Sequence, residues 1–98
     1  MSRFVRIHEA AEAEINEAAD FYDLASPGLG SEFLDEIERT IRSISEVPEA
    51  GPLVRADIRK RTIAKFPYSL VYSVRPNEIR ILAVAHHKRR PFYWRGRR

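Results

Sequence analysis

Residues 58–94, IRKRTIAKFPYSLVYSVRPNEIRILAVAHHKRRPFYW, decide the fold. Tyr68-Ser69-Leu70-Val71-Tyr72-Ser73-Val74 is rich in β-branched and aromatic residues. It puts Tyr68, Leu70, Tyr72 and Val74 on one face, and Ser69, Val71 and Ser73 on the other. Pro76-Asn77 interrupts it, and Glu78 to His86 begins a second strand. Proline presets φ and lacks a donor while asparagine tolerates positive φ, so this pair suits a tight hairpin loop. Ile58 to Ala64 is a third strand, set off by Lys65-Phe66-Pro67. A basic, aromatic tail follows the last strand.

The N-terminal half is expected to cover one face of this meander. Arg3-Phe4-Val5-Arg6-Ile7 alternates charged and apolar residues as a short strand does. From His8 to Ser26, Ala11, Ile15, Ala18, Tyr22 and Ala25 recur at helical spacing. Glu9 and Glu12 fall in the first turn, where the helix end is partly positive. Ser26-Pro27-Gly28-Leu29-Gly30 turns the chain. Ser31 is placed to cap a second helix over 32–46, with Leu34, Ile37, Ile41 and Ile44 as its buried face. Pro48 to Pro52 stops it. The expected fold class is α+β in the order β-α-α-β-β-β: an antiparallel sheet covered by an N-terminal helical hairpin. Residues 1–98 are read as one domain, without repeats or linkers.

Ninety-eight residues, 44% of them hydrophobic, suit a single core and leave little room for a deep cofactor cleft. No cofactor is expected. The absence of cysteine removes disulfide and thiol chemistry, and three histidines without cysteine argue against a structural zinc site, so no metal is expected. No apolar run reaches spanning length, and the start Met-Ser-Arg-Phe-Val-Arg is too short and charged for a signal peptide. A cytoplasmic protein with no membrane role is expected. Residues 1–50 hold 4 arginines against 12 carboxylates, net −8. Residues 51–98 hold 13 lysines and arginines against 2 carboxylates, net +11. This polarity suits an acidic partner for the basic half, and also attraction between helices and sheet within the fold.

The element order, the segment Phe66-Pro67-Tyr68-Ser69-Leu70-Val71-Tyr72 and the ending Ala83-Val84-Ala85-His86-His87-Lys88-Arg89-Arg90-Pro91-Phe92-Tyr93-Trp94 resemble the RelE/ParE superfamily of bacterial toxins. These are the toxic halves of type II toxin–antitoxin pairs, and the resemblance covers nearly the whole chain. It implies a cognate, ParD-like antitoxin in a hetero-oligomer with this chain. Its contacts are expected at Tyr22, Leu34, Ile41, Arg59, Arg61 and Arg80. RelE-like members cut mRNA on the ribosome with basic and aromatic side chains. The characterised ParE-like members poison DNA gyrase.

RelE-like nucleases carry an arginine just before the Leu-Val-Tyr of the central strand, where this chain has Ser69. Of their paired lysines, Lys60 matches one and Thr62 stands at the other position. Arg89 and Tyr93 match the remaining basic and tyrosine positions. Cleaving RNA without metal requires proton acceptors and donors and positive charge at the phosphorane, and serine carries no charge. The ParE-like branch is therefore favoured, with no catalytic residues. Lys60, Arg89 and Tyr93 are the set to test if the chain is a nuclease. His86 and His87, adjacent on a strand, face opposite ways and cannot act together; packing or hydrogen bonding at the strand end is expected instead. Arg89, Arg90, Phe92, Tyr93 and Trp94 are the expected target contacts, while Arg97 and Arg98 are expected to be frayed and solvated. The charge asymmetry between the two halves leaves a third alternative, a non-toxic nucleic-acid-binding module.

Overall fold

The protein, seen in a computed structural model, is described over residues 3–98, so Met1 and Ser2 of the charged N-terminal stretch lie outside it. The elements are β1 (Phe4–Ile7), α1 (Glu9–Ala25), α2 (Leu29–Glu46), a 3-10 turn (Pro48–Ala50), β2 (Leu53–Arg55), β3 (Ile58–Thr62), β4 (Tyr68–Val74) and β5 (Glu78–His86). They form one five-stranded sheet in the order β1-β5-β4-β3-β2, with the helical hairpin on one face. The α+β class and the expected hairpin are as read from the sequence.

In the layout of the elements several details differ from the sequence reading, and β3 ends at Thr62 rather than Ala64. The sheet is mixed, because β1 runs parallel to β5, pairing Phe4 with Glu78 through Ile7 with Ile81. The two-helix crossover after β1 frees it from the antiparallel constraint that a short hairpin imposes. β2 was unforeseen, since three residues are too few to display an alternation; it pairs with β3 around a turn at Ala56 and Asp57. α2 begins at Leu29, three residues before the expected start, and Ser31 lies inside its first turn. Gly28 takes the cap position with φ of 90°, a conformation that favours glycine, and the Asp23 carboxylate reaches across from α1 to accept from Gly30 N–H at 2.7 Å. Gly30 also lets the helices close up, since a Cβ there would collide with the Ala19 carbonyl.

The helix-covered face holds the main core. Ala11, Ile15, Ala18 and Ala19 from α1 and Phe33, Ile37 and Ile44 from α2 bury against Leu70, Tyr72, Ile79, Ile81 and Val84. Phe33, rather than Leu34, is the deep residue at the start of α2; Leu34 is 38% exposed and Ile41 half-buried. Ala25 of the predicted α1 stripe is exposed. Tyr22, Phe33, Phe66 and Tyr68 meet as an aromatic cluster, with ring centroids 4.9–6.3 Å apart. Tyr72 donates its hydroxyl to the Pro48 carbonyl at 2.7 Å and so fastens the 3-10 turn.

A bulge in β5 prepares the other face. Val71 pairs with Ala83 and Tyr72 with Ile81, which leaves Leu82 as the extra residue. The alternation shifts by one there, so Val84 joins Ile79 and Ile81 on the helix side. Ala83 and Ala85 turn to the opposite side with Val71, where small side chains leave space.

Candidate functional site

Residues 88–98 fold back across the sheet face that the helices leave bare. Trp94 buries against Val71 and Ala83, with Val54, Ile58, Ala85 and Tyr93 around it. Phe92, at φ 59°, and Gly96, at φ 96°, bend the segment into successive turns. Between this segment and the sheet lies a cleft of about 280 Å³. Its floor is apolar at Val54, Val71 and Ala85, and Lys60, Arg89 and Arg90 bring positive charge to its walls. The structure thus gathers Arg89, Arg90, Phe92, Tyr93 and Trp94 around one cavity and adds Lys60 from β3.

The polar part of the floor is a short relay. Ser69 is buried; its Oγ lies 3.1 Å from His87 Nε2 and 3.3 Å from Thr62 Oγ1. His87 thereby belongs to the site, although sequence reasoning gave it no role there. The strand alternation places it on the same side as Ser69. His86 points the other way: its ring meets Tyr68 edge-on at 5.0 Å, and its Nδ1 accepts from Lys88 N–H. The opposite facing of the two histidines is as expected.

Tyr93 is held differently from a tyrosine poised for proton transfer. Burial pushes its phenol well above the ordinary value, and the neighbouring Glu14 carboxylate adds to the effect. Its hydroxyl lies 3.5 Å from the Val84 carbonyl, while the Arg89 guanidinium covers its ring, 3.8 Å from the centroid. With Trp94 buried and Tyr93 covered, Phe92 is the one aromatic ring of the three that is exposed. A stacking platform for successive bases is therefore not laid out here.

The expectation of a frayed, solvated Arg97 is corrected, while the Arg98 residue is exposed as expected and only its backbone oxygen is held. Arg97 pairs with both oxygens of Glu14, at 3.0 and 3.2 Å, and donates to the Leu82 carbonyl at 3.1 Å. Arg80 donates to the Arg98 carbonyl. Both contacts need residues brought from far along the chain, which no local pattern reveals.

The residues expected to meet an antitoxin are divided. Arg59 and Arg61 stand opposite Tyr72 and Leu70, on the helix side of the sheet. Arg59 donates to the Glu49 and Gly51 carbonyls. Arg61 donates to Ser43 and to the Val47 carbonyl at the C-terminus of α2, where a cation complements the negative end of the helix dipole. Arg80, opposite Ser73, is on the tail side, so the three arginines do not form one surface. Tyr22 is half-buried in the aromatic cluster, Ile41 lies at the core margin, and Leu34 is exposed. Phe21 and Leu24, also exposed on α1, were not singled out from sequence because they lie off its apolar stripe.

Among the described residues, no group of three or more histidines, cysteines and carboxylates is placed to hold a metal ion, and no helix is long and apolar enough to cross a membrane. No curated protein matches the chain in sequence. In fold it is similar to a chain of a solved structure described as the chromosomal ParDE TA system from P. aeruginosa. That match has a TM-score of 0.76 at 20% identity and covers 87% of this chain and 96% of that one. The family model for the ParE toxin of the type II toxin–antitoxin system parDE matches residues 5–91. With a match of that extent over a β-α-α-β meander of the same architecture, the chain belongs to the ParE toxin family.

Proposed function

We propose that this toxin acts on DNA gyrase without cutting RNA, and that a cognate, ParD-like antitoxin neutralises it. The observation that carries the choice is Ser69. It occupies the floor of the cleft as a buried, neutral hydroxyl shared between His87 and Thr62, at the position where RelE-like nucleases carry arginine. Without that charge the floor of the cleft offers no cation to the extra negative charge of a phosphorane, and the positive groups Lys60, Arg89 and Arg90 stand only on its walls. Tyr93 supports the same reading, since burial disfavours its phenolate and Arg89 covers its ring. The cationic wall at Arg89 and Arg90, with exposed Phe92 beside it, is the surface offered to the target.

The antitoxin reading rests on the family and on the ParDE description of the structural relative. An acidic antitoxin segment with apolar anchors suits the helix side. On the hairpin Leu34 is exposed and Tyr22 and Ile41 are half-buried, while Arg59 and Arg61 supply charge at the end of α2. Arg80 would be reached only by a segment that continues around the sheet edge.

A ribosomal nuclease remains the second reading, because Lys60, Arg89 and Tyr93 do line one cleft. Inducing the toxin without antitoxin in a sensitive bacterium separates the two. Gyrase poisoning gives filaments and cleaved DNA first, with translation falling late, and Arg89→Ala with Arg90→Ala weakens that effect. Arrest of translation within minutes, with mRNA cut between codon positions, would overturn the gyrase reading. Normal growth with soluble protein present would overturn both and leave a non-toxic binding module.

A further inference from the structure

β5 has nine residues, but β1 pairs only with Glu78 to Ile81. Beyond Ile81 no strand of the described residues lies beside the outer edge of β5, and unpaired backbone groups on a sheet edge must find other partners. Side chains supply them. Glu14 Oε1 accepts from Val84 N–H at 3.0 Å, Arg97 donates to the Leu82 carbonyl, and the Tyr93 hydroxyl faces the Val84 carbonyl. Glu14 therefore joins three parts of the molecule: α1, the open edge of β5 and the segment that walls the cleft.

The Glu14–Arg97 pair differs from the other ion pairs among the described residues. Its side chains are 15% and 20% exposed, whereas the basic partner in every other pair is 40–65% exposed. Shielded from water and bidentate, such a pair resists screening and fixes orientation, unlike a mobile surface pair. The contacts continue inward: the Arg97 guanidinium lies 5.2 Å from the Tyr93 ring centroid, and Arg89 covers that same ring. Arg89 also lines a second, smaller cavity of about 180 Å³ beside Glu14, Glu17 and Phe21 of α1.

We propose that Glu14 is a positioning residue for the toxic surface: by clamping Arg97 it seats residues 88–98 over the open edge of β5 and so aims Arg89, Arg90 and Phe92 at the target. This rests on the reading that the cleft wall makes the target contact. The acidic face of α1 then contributes to toxicity without touching the target.

Trp94, the single tryptophan, is buried under this segment and reports its seating directly. Glu14→Gln keeps an acceptor for Val84 N–H and removes the charge that holds Arg97. Glu14→Gln, Arg97→Gln and the double variant are compared by acrylamide quenching of Trp94, exchange of the Arg95 amide (bonded to the Phe92 carbonyl), thermal melting and growth arrest. The expected result is Arg95 exchange faster by roughly tenfold and more quenchable Trp94 fluorescence, with the Tm nearly kept and growth arrest weakened. The double variant should be no worse than Arg97→Gln alone, since that change already removes the Glu14–Arg97 contact together with the bond to the Leu82 carbonyl. Arg97→Lys, which keeps the charge but not the fork, should fall between Arg97→Gln and the parent. Unchanged quenching and exchange in all variants would overturn the clamp. A loosened segment with full growth arrest would overturn the positioning role. In that case, loss of arrest in Arg89→Ala with Arg90→Ala keeps the contact surface where it is placed, whereas retained arrest moves it elsewhere.

Discussion

The two faces of the sheet are built on different scales. Thirteen buried residues form the core on the helix side, where two amphipathic helices lay alanine, isoleucine and phenylalanine against β4 and β5. On the other side the buried cluster is Val71, Ala83 and Trp94, beside a cleft. The first face is closed by elements with backbone hydrogen bonds of their own. The second is closed by a turn-rich segment held by Trp94, a clamp at Glu14 and the Arg80 contact with the Arg98 carbonyl. The difference teaches that one sheet can carry a large closed core on one face and a small cluster beside an open cleft on the other. On that difference in scale, the helix side is expected to hold the fold and the tail side to tolerate change.

The most severe test of that comparison is Ile37→Asp. Ile37 is buried between α2 and the sheet, and an unpaired carboxylate there costs several kcal/mol, on the order of the whole stability of a small domain. The variant should be unfolded by circular dichroism at room temperature. Ile41→Asp, at the half-buried margin, should cost less. A parental melting curve for Ile37→Asp would show the helix side to be less essential than argued.

Trp94→Ala probes the other face. It removes the largest member of the small cluster, and because the vacated space opens into an existing cleft, a loss of about 2–3 kcal/mol is expected rather than unfolding. The helical circular dichroism signal should remain while growth arrest falls. Unfolding as complete as that of Ile37→Asp would merge the two faces into one core.

The smallest expected effect is at alkaline pH. Burial raises the Tyr93 phenol, so the folded state keeps this proton at pH values where the unfolded chain, with an ordinary value of about 10, releases it. Its contribution to stability is constant below that pH and falls as the pH rises beyond it. Tyr93→Phe should flatten the alkaline limb of the stability curve and cost less than about 1 kcal/mol at neutral pH, given the long contact to Val84. Burial also raises Tyr22 and Tyr68, on the helix side. Comparing Tyr93→Phe with Tyr68→Phe in urea melts across alkaline pH tells which face yields to alkali first. An unchanged alkaline limb in Tyr93→Phe would place that sensitivity on the helix side.

The sequence by itself determined the strands of the meander, both helices, the hairpin at Pro76-Asn77 and the family. These follow from local periodicity and from turn chemistry carried by neighbouring residues. It also placed Ser69 and Val71 on the face away from Leu70 and Tyr72, and it singled out Arg89 to Trp94, which the structure gathers around one cleft. Only the tertiary structure decided that β1 runs parallel to β5 and that Leu82 bulges. It alone showed that Asp23 takes over the capping expected of Ser31, that Arg59 and Arg61 lie on the other side of the sheet from Arg80, and that Glu14 clamps Arg97. Strand direction and bulges depend on which edges meet after the chain has crossed the helices. A contact between residues 83 positions apart has no period to betray it, because its energy appears only when distant segments have already been brought together.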